Sequence, residues 1–203
     1  MILIDNGHSR QTPGKRSPLF DDGVTRFYEW EYNRKVAREL HKRLCAEGIC
    51  NVLLVPEDDY DVPLSERAAR ANKYGKDSLF ISIHCNACGD GKTWNSGKGW
   101  SVWTTKGETR SDKIATVFWN EAKKTLEPMG RSVRKDMSDG DPDNEENFTV
   151  LAKTNMPAIL TENLFMTNKE DVRFLLSDKG FDAIVSLHLN AIKECIRLGY
   201  YVP

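Results

Sequence analysis

The chain has 203 residues, with 29 lysines and arginines against 30 aspartates and glutamates and a formal net charge of -1. This near-balance lacks the basic footprint of a nucleic-acid binder, and no run approaches the roughly 18 uninterrupted apolar residues of a membrane span, so neither partner is expected. One domain over 1–203 is expected, because this length sits at the upper end of the usual single-domain range and is ample for a core.

Met1-Ile2-Leu3-Ile4 runs straight into Asp5-Asn6-Gly7, which reads as a first strand, Ile2 to Asp5, and its exit loop rather than an export leader. From about Phe27 to Glu47, Val36, Ala37, Leu40 and Leu44 fall on one helical face, and Gly48 stands past the end. Val52 to Val55 reads as a strand, Leu64 to Tyr74 as a helix, and Leu79 to Ile83 and Trp100 to Thr104 as strands. Ile114, Val117, Phe118 and Ala122 keep a stripe through a helix from Ser111 to Leu126, which Pro128 stops. A sixth strand is assigned to Ser132 to Lys135, and another strand to Ala158 to Thr161. Thr167-Asn168-Lys169-Glu170 matches a capping box that opens a short helix through Leu176, and a last helix runs from about Gly180 to Arg197. The alternation predicts an α/β single domain: a mostly parallel, twisted sheet of about six strands with helices on both faces.

Two loops are long enough to suspect a working role, Asn86 to Gly99 around Trp94 and the acidic stretch Ser138 to Asn147. Asp139-x-Asp141-x-Asp143 imitates a calcium loop, but Asn144 and Val150 stand where that motif needs Gly and Glu, so a solvated acidic loop is expected. The five cysteines are odd in number and read as reduced thiols. Cys85 and Cys88 form a C-x-x-C with no second pair to complete a thiolate zinc site.

Three polar residues sit where strands and helices meet: His8 after the first strand, Glu29 opening the first helix and His84 ending the third strand. If those ends lie side by side, they make the His/His/Glu set of a catalytic zinc with a fourth position open. Taken singly, each histidine is as well explained by capping or packing. Glu162 ends an apolar strand, where a carboxylate needs a metal, a proton donor or an arginine, so it is a candidate base or a salt-bridge partner. His188 reads as packed within the last helix.

Together these residues resemble a family. Asp5-Asn6-Gly7-His8 is similar to the D-x-G-H opening of the type 3 class of N-acetylmuramoyl-L-alanine amidases, and Glu29-Trp30-Glu31-Tyr32-Asn33 to their E-x-x-x-N helix start. Ser82 to Ala87 resembles S-x-H-x-N-A, Arg67 with Ala71-Asn72 fits R-x-x-x-A-N, and Pro157 to Phe165 resembles P-A-x-L-x-E with its trailing Phe. The resemblance implies one zinc ion held by His8, Glu29 and His84, and Glu162 as catalytic acid and base. It further implies hydrolysis of the bond between N-acetylmuramic acid and L-alanine in peptidoglycan, in an autolysin or phage endolysin. Alternatives are a zinc carboxypeptidase or other amidohydrolase, or a catalytically silent wall-binding module.

Ser9-Arg10 stands where the family often has Gly-Gly, which alters the loop rim. Glu31 competes with Glu29 as a ligand, but the two lie about 200° apart on a helix, and the spacing to Asn33 favours Glu29. Trp94 is a candidate to stack on a sugar, Arg10, Lys15 and Arg16 to meet stem-peptide carboxylates, and Asn86 to contact substrate. A monomer is expected, made in the cytoplasm without a classical signal peptide and acting on peptidoglycan or muropeptides at the wall or in the periplasm.

Overall fold

The computed structural model describes residues 1–55 and 60–201. In chain order the elements are β1 (Ile2–Asn6), α1 (Glu29–Ala46), β2 (Asn51–Leu53), α2 (Leu64–Asn72), β3 (Leu79–Asn86), β4 (Ser101–Thr104) and α3 (Arg110–Leu126). They continue as β5 (Asn144–Glu145), α4 (Thr149–Ala152), β6 (Ala158–Phe165), α5 (Lys169–Leu176) and α6 (Asp178–Arg197). The strands form one sheet in the order β2-β1-β3-β6-β4-β5. β2, β1, β3 and β6 are mutually parallel, while β4 runs antiparallel to β6 and parallel to β5.

Strand alternation divides the sheet between two apolar cores. Ile2, Ile4, Leu79, Ile81, Ile83 and Ile159 pack under α1, α3 and α6 through Val36, Leu40, Phe118, Ile184 and Leu187. Leu3, Phe80, Ala158 and Leu160 point the other way, toward Ala71 of α2 and Val150 and Leu151 of α4. Helices therefore cover both faces, as the alternating pattern predicts. None of the described helices is long and apolar enough to cross a membrane.

Three expectations need correction. The sixth strand is Asn144–Glu145, while Val133 makes only an isolated parallel bridge to Trp100, so Ser132 to Lys135 never joins the sheet as a strand. The cap of α5 is Asn168, whose side chain accepts from the Glu170 and Asp171 amides, so Thr167 is not the capping residue. The acidic loop is not wholly solvated. Asp139 is exposed, but Asp143 is buried and accepts from the Thr104 hydroxyl at 2.5 Å. Burial, reinforced by the neighbouring Asp141 carboxyl, pushes Asp143 up to about 8. All five cysteines are free thiols.

Candidate metal centre

In this order β1 has β2 on one side and β3 on the other, so the chain changes winding direction there, and the crevice beyond the strands' carboxyl ends is where such sheets hold ligands. His8 follows the end of β1, His84 lies near the end of β3, and Glu29 is the first residue of α1. His8 Nε2 lies 3.4 Å and His84 Nδ1 3.2 Å from Glu29 Oε1. One ligand atom from each residue falls within 4.8 Å of the others. Glu31, the competing carboxylate, is half-exposed and pairs with Lys35 at 3.0 Å.

Each side chain is locally fixed. The Cys85 amide donates to Glu29 Oε1 at 3.1 Å, and Asn33, one helical turn on, donates to the Gly7 carbonyl at 3.3 Å. Asn163 donates to the His84 carbonyl at 3.0 Å and accepts from the buried Trp100 indole at 2.9 Å. Gly7 is needed for a reason other than a tight turn. Its φ is ordinary, but a Cβ there would overlap the His84 ring, whereas the left-handed backbone falls on His8, at φ 66°.

The charges are coupled. Burial opposes ionisation of Glu29, but hydrogen bonds and charge from His8 and His84 outweigh it and hold the carboxyl far below the usual range. Burial also opposes protonation of both imidazoles. It prevails at His8, which is lowered, and yields at His84, which is raised by Glu29. Glu29 Oε2 is buried without a hydrogen-bond partner among the described residues. An ionised oxygen left so is costly unless a cation meets it. Two imidazoles and a carboxylate of this kind fit a zinc ion, and these three residues are the ones that would hold it.

Glu162 is the register partner of His84 across β3 and β6, on the face that also carries Leu160 and Ala158. Burial pushes its carboxyl up to about 8, with the Glu29 charge adding to the shift and His84 and Lys15 opposing it. Its Oε2 is buried and unpartnered among the described residues. Among the described residues Glu162 Oε2 meets no arginine. The register of the two strands shifts between His84 and Asn86, and Leu164 takes φ 65° there. This bulge re-aims the strands beside the site.

The predicted substrate residues are placed less uniformly. Trp94 donates its indole N–H to the Leu19 carbonyl at 3.0 Å and packs on Phe20 with ring centroids 5.1 Å apart, so it ties together the loops that follow β1 and β3. A cleft of about 820 Å³ lies between those loops, lined by Arg16, Arg26, Lys92 and Trp94 among others. Arg10 is exposed. The Asn86 side chain accepts from the Ala87 amide at 2.7 Å. His188 is fully buried, with Nδ1 at 2.7 Å from the Ile184 carbonyl and Nε2 at 3.0 Å from the Thr161 hydroxyl, a packed histidine and not a ligand. Lys15 acts on both His8 and Glu162, a proximity that its place in a basic cluster did not reveal.

The family model for N-acetylmuramoyl-L-alanine amidase matches residues 2–194. N-acetylmuramoyl-L-alanine amidase CwlM of Bacillus licheniformis is 31% identical over 98% of this chain and 69% of its own length. The endolysin of Bacillus phage SPP1 is 27% identical over 98% of this chain and 66% of its own length. The chain thus spans about two thirds of these curated relatives. The crystal structure of N-acetylmuramoyl-L-alanine amidase from Clostridium difficile 630 superposes with a TM-score of 0.78 at 26% identity, covering 97% of this chain and 96% of that one.

Proposed function

This chain belongs to the N-acetylmuramoyl-L-alanine amidase family, and from that premise we propose that it is a zinc-dependent hydrolase of the amide between N-acetylmuramic acid and L-alanine. The observation that carries the reading is the conjunction of Glu29, whose Oε1 lies at 3.4 and 3.2 Å from the two imidazoles, and the buried Glu162 Oε2, unpartnered among the described residues on the register partner of His84. Lewis acidity toward a carbonyl oxygen and toward water is what zinc supplies when bound by His8, Glu29 and His84. Glu162 takes a proton from the attacking water on Oε2 and delivers it to the departing alanine nitrogen, which would otherwise be a poor leaving group. The cleft, with Arg16, Arg26 and Lys92 against the single acidic residue Asp90 on its walls, receives the anionic stem peptide, and Trp94 holds that wall in place. Peptidoglycan of the cell wall is the partner this chemistry serves.

The test is mass spectrometry of purified peptidoglycan after digestion. Stem peptides carrying a free L-alanine amine are expected, lost on chelation and restored by zinc. Products cut elsewhere in the stem, or turnover indifferent to chelation, would refute the proposal.

A further inference from the structure

We propose that Arg67, braced by Asp5, is the positioning residue that sets the metal-binding pose of His8, and with it the affinity of the centre for its ion. The inference rests on His8 being a ligand. Of the three ligands, only His8 lies outside a helix or strand, and it does so with a left-handed backbone that side chains other than glycine rarely adopt. Such a conformation persists only when its surroundings determine it.

Hydrogen bonds flank His8, with the Gly7 amide on the Ile83 carbonyl, the Asn33 side-chain amide on the Gly7 carbonyl and the Ser9 amide on the Thr12 hydroxyl, but the His8 carbonyl itself is held by one guanidinium. Arg67 Nη1 donates to the Asn6 carbonyl at 2.7 Å and Nη2 to the His8 carbonyl at 3.3 Å, so it grips the backbone on either side of Gly7. Nε donates to the Val62 carbonyl at 3.0 Å, which fixes the far edge of the fork. Nη1 also meets Asp5 Oδ1 at 2.7 Å, and Asp5 Oδ2 accepts from the Ser82 hydroxyl at 2.6 Å. Ser82 is the register partner of Asp5 and stands two residues before His84, so the chain of contacts links the two imidazole-bearing strands.

Arg67 and Asp5 are 2% and 1% exposed. Burying an ion pair is weak support for stability, since apolar residues of equal volume often do as well. What apolar residues cannot do is hold two carbonyls and a carboxylate in one plane. A lysine cannot either, because its ammonium is a point charge without the fork. Glu29 and His84 have other restraints, in the Cys85 amide and in Asn163, so the dependence falls on His8.

The test compares zinc dissociation constants, by competition with a chromogenic chelator, for the wild type, Arg67→Lys and Ser82→Ala. Arg67→Lys is expected to weaken zinc binding about 10–100-fold, with KM for a muropeptide unchanged once zinc is saturating. Ser82→Ala keeps the three carbonyl contacts of Arg67 and its pair with Asp5 Oδ1 but frees Asp5 Oδ2, loosening the brace, and it remains readable if Arg67→Lys fails to fold. Its expected loss of zinc affinity is about three-fold, milder than that of an outer partner touching the ligand itself. A lowered melting temperature with an unchanged zinc constant in either folded variant would overturn the proposal, leaving Arg67 a structural residue only. A wild type that takes up no zinc would instead refute the metal reading beneath it.

Discussion

Glu162 projects from β6 toward His84, where burial raises its carboxyl to about 8. Between the ordinary value of 4.5 and that figure, the zinc-free folded protein binds a proton that the unfolded chain has released. Stability of the zinc-free protein therefore falls as pH rises through this window, and the loss is complete above it. Glu162→Gln has no such proton, so it should be more stable than the wild type at pH values above 8 and about equal to it near pH 4. Urea unfolding of the zinc-free proteins checks this, and an equal difference at both pH values would contradict it. The same variant should retain zinc but lose turnover, because an amide neither accepts nor returns the proton. The proximity of His8, Glu29 and His84 was anticipated because the two histidines follow or end apolar strands, Glu29 opens a helix, and all three fall in motifs of one family in the right order. The reason for glycine at position 7 was not legible, because it is a ring reaching over it from β3, a contact spanning 77 positions that no local pattern encodes. Asp5 and Arg67 were visible only as motif letters, since nothing in sequence says that an arginine is buried.

At the level of elements, long stripes were readable and short polar pieces were not. α1 and α3 carry an apolar face over 18 and 17 residues, so their existence and boundaries follow from periodicity. β5 is two residues long and reads Asn-Glu, so it has no apolar alternation to detect, while Ser132 to Lys135 offers a β-branched residue without a partner strand. α4 is a single turn, too short to show a stripe, and is held by Val150 and Leu151 against the α2 side of the sheet. The cap of α5 lies one residue beyond the predicted one, because the Asn168 side chain reaches two amides at once, at 3.0 and 3.1 Å. Asn168 also donates to the Asn95 carbonyl, which fastens the Trp94 loop to α5. Asn168→Ala should cost about 1.5–2 kcal/mol, toward the upper part of the usual capping range because the loop contact goes too. Denaturant midpoints measure this, and a stability unchanged from the wild type would show that the cap contributes nothing.

For the whole molecule, parallel strands ending along one edge of a doubly covered sheet bring together His8, Glu29 and His84, which span 76 positions, and this convergence is what short motifs in the right order anticipate. The fold also carries a built-in acid limit. His188 is fully buried behind β6, and burial lowers it to about 4, so it remains neutral in the folded state down to that pH. The unfolded chain gains a proton near the ordinary value of 6.5, so this stability is complete above 6.5 and is lost as pH falls toward 4. The loss should be on the order of 3 kcal/mol, and His188→Gln should flatten that part of the stability profile in urea titrations at pH 7 and pH 4.5. An unchanged slope would assign the acid limit to another group. The centre itself is tested most directly by X-ray absorption at the zinc edge of the loaded wild-type protein. Two imidazole nitrogens and carboxylate oxygen at about 2.0–2.2 Å are expected, with no sulfur. A sulfur shell at about 2.3 Å would place the ion on Cys85 or Cys88 and contradict the assignment to His8, Glu29 and His84.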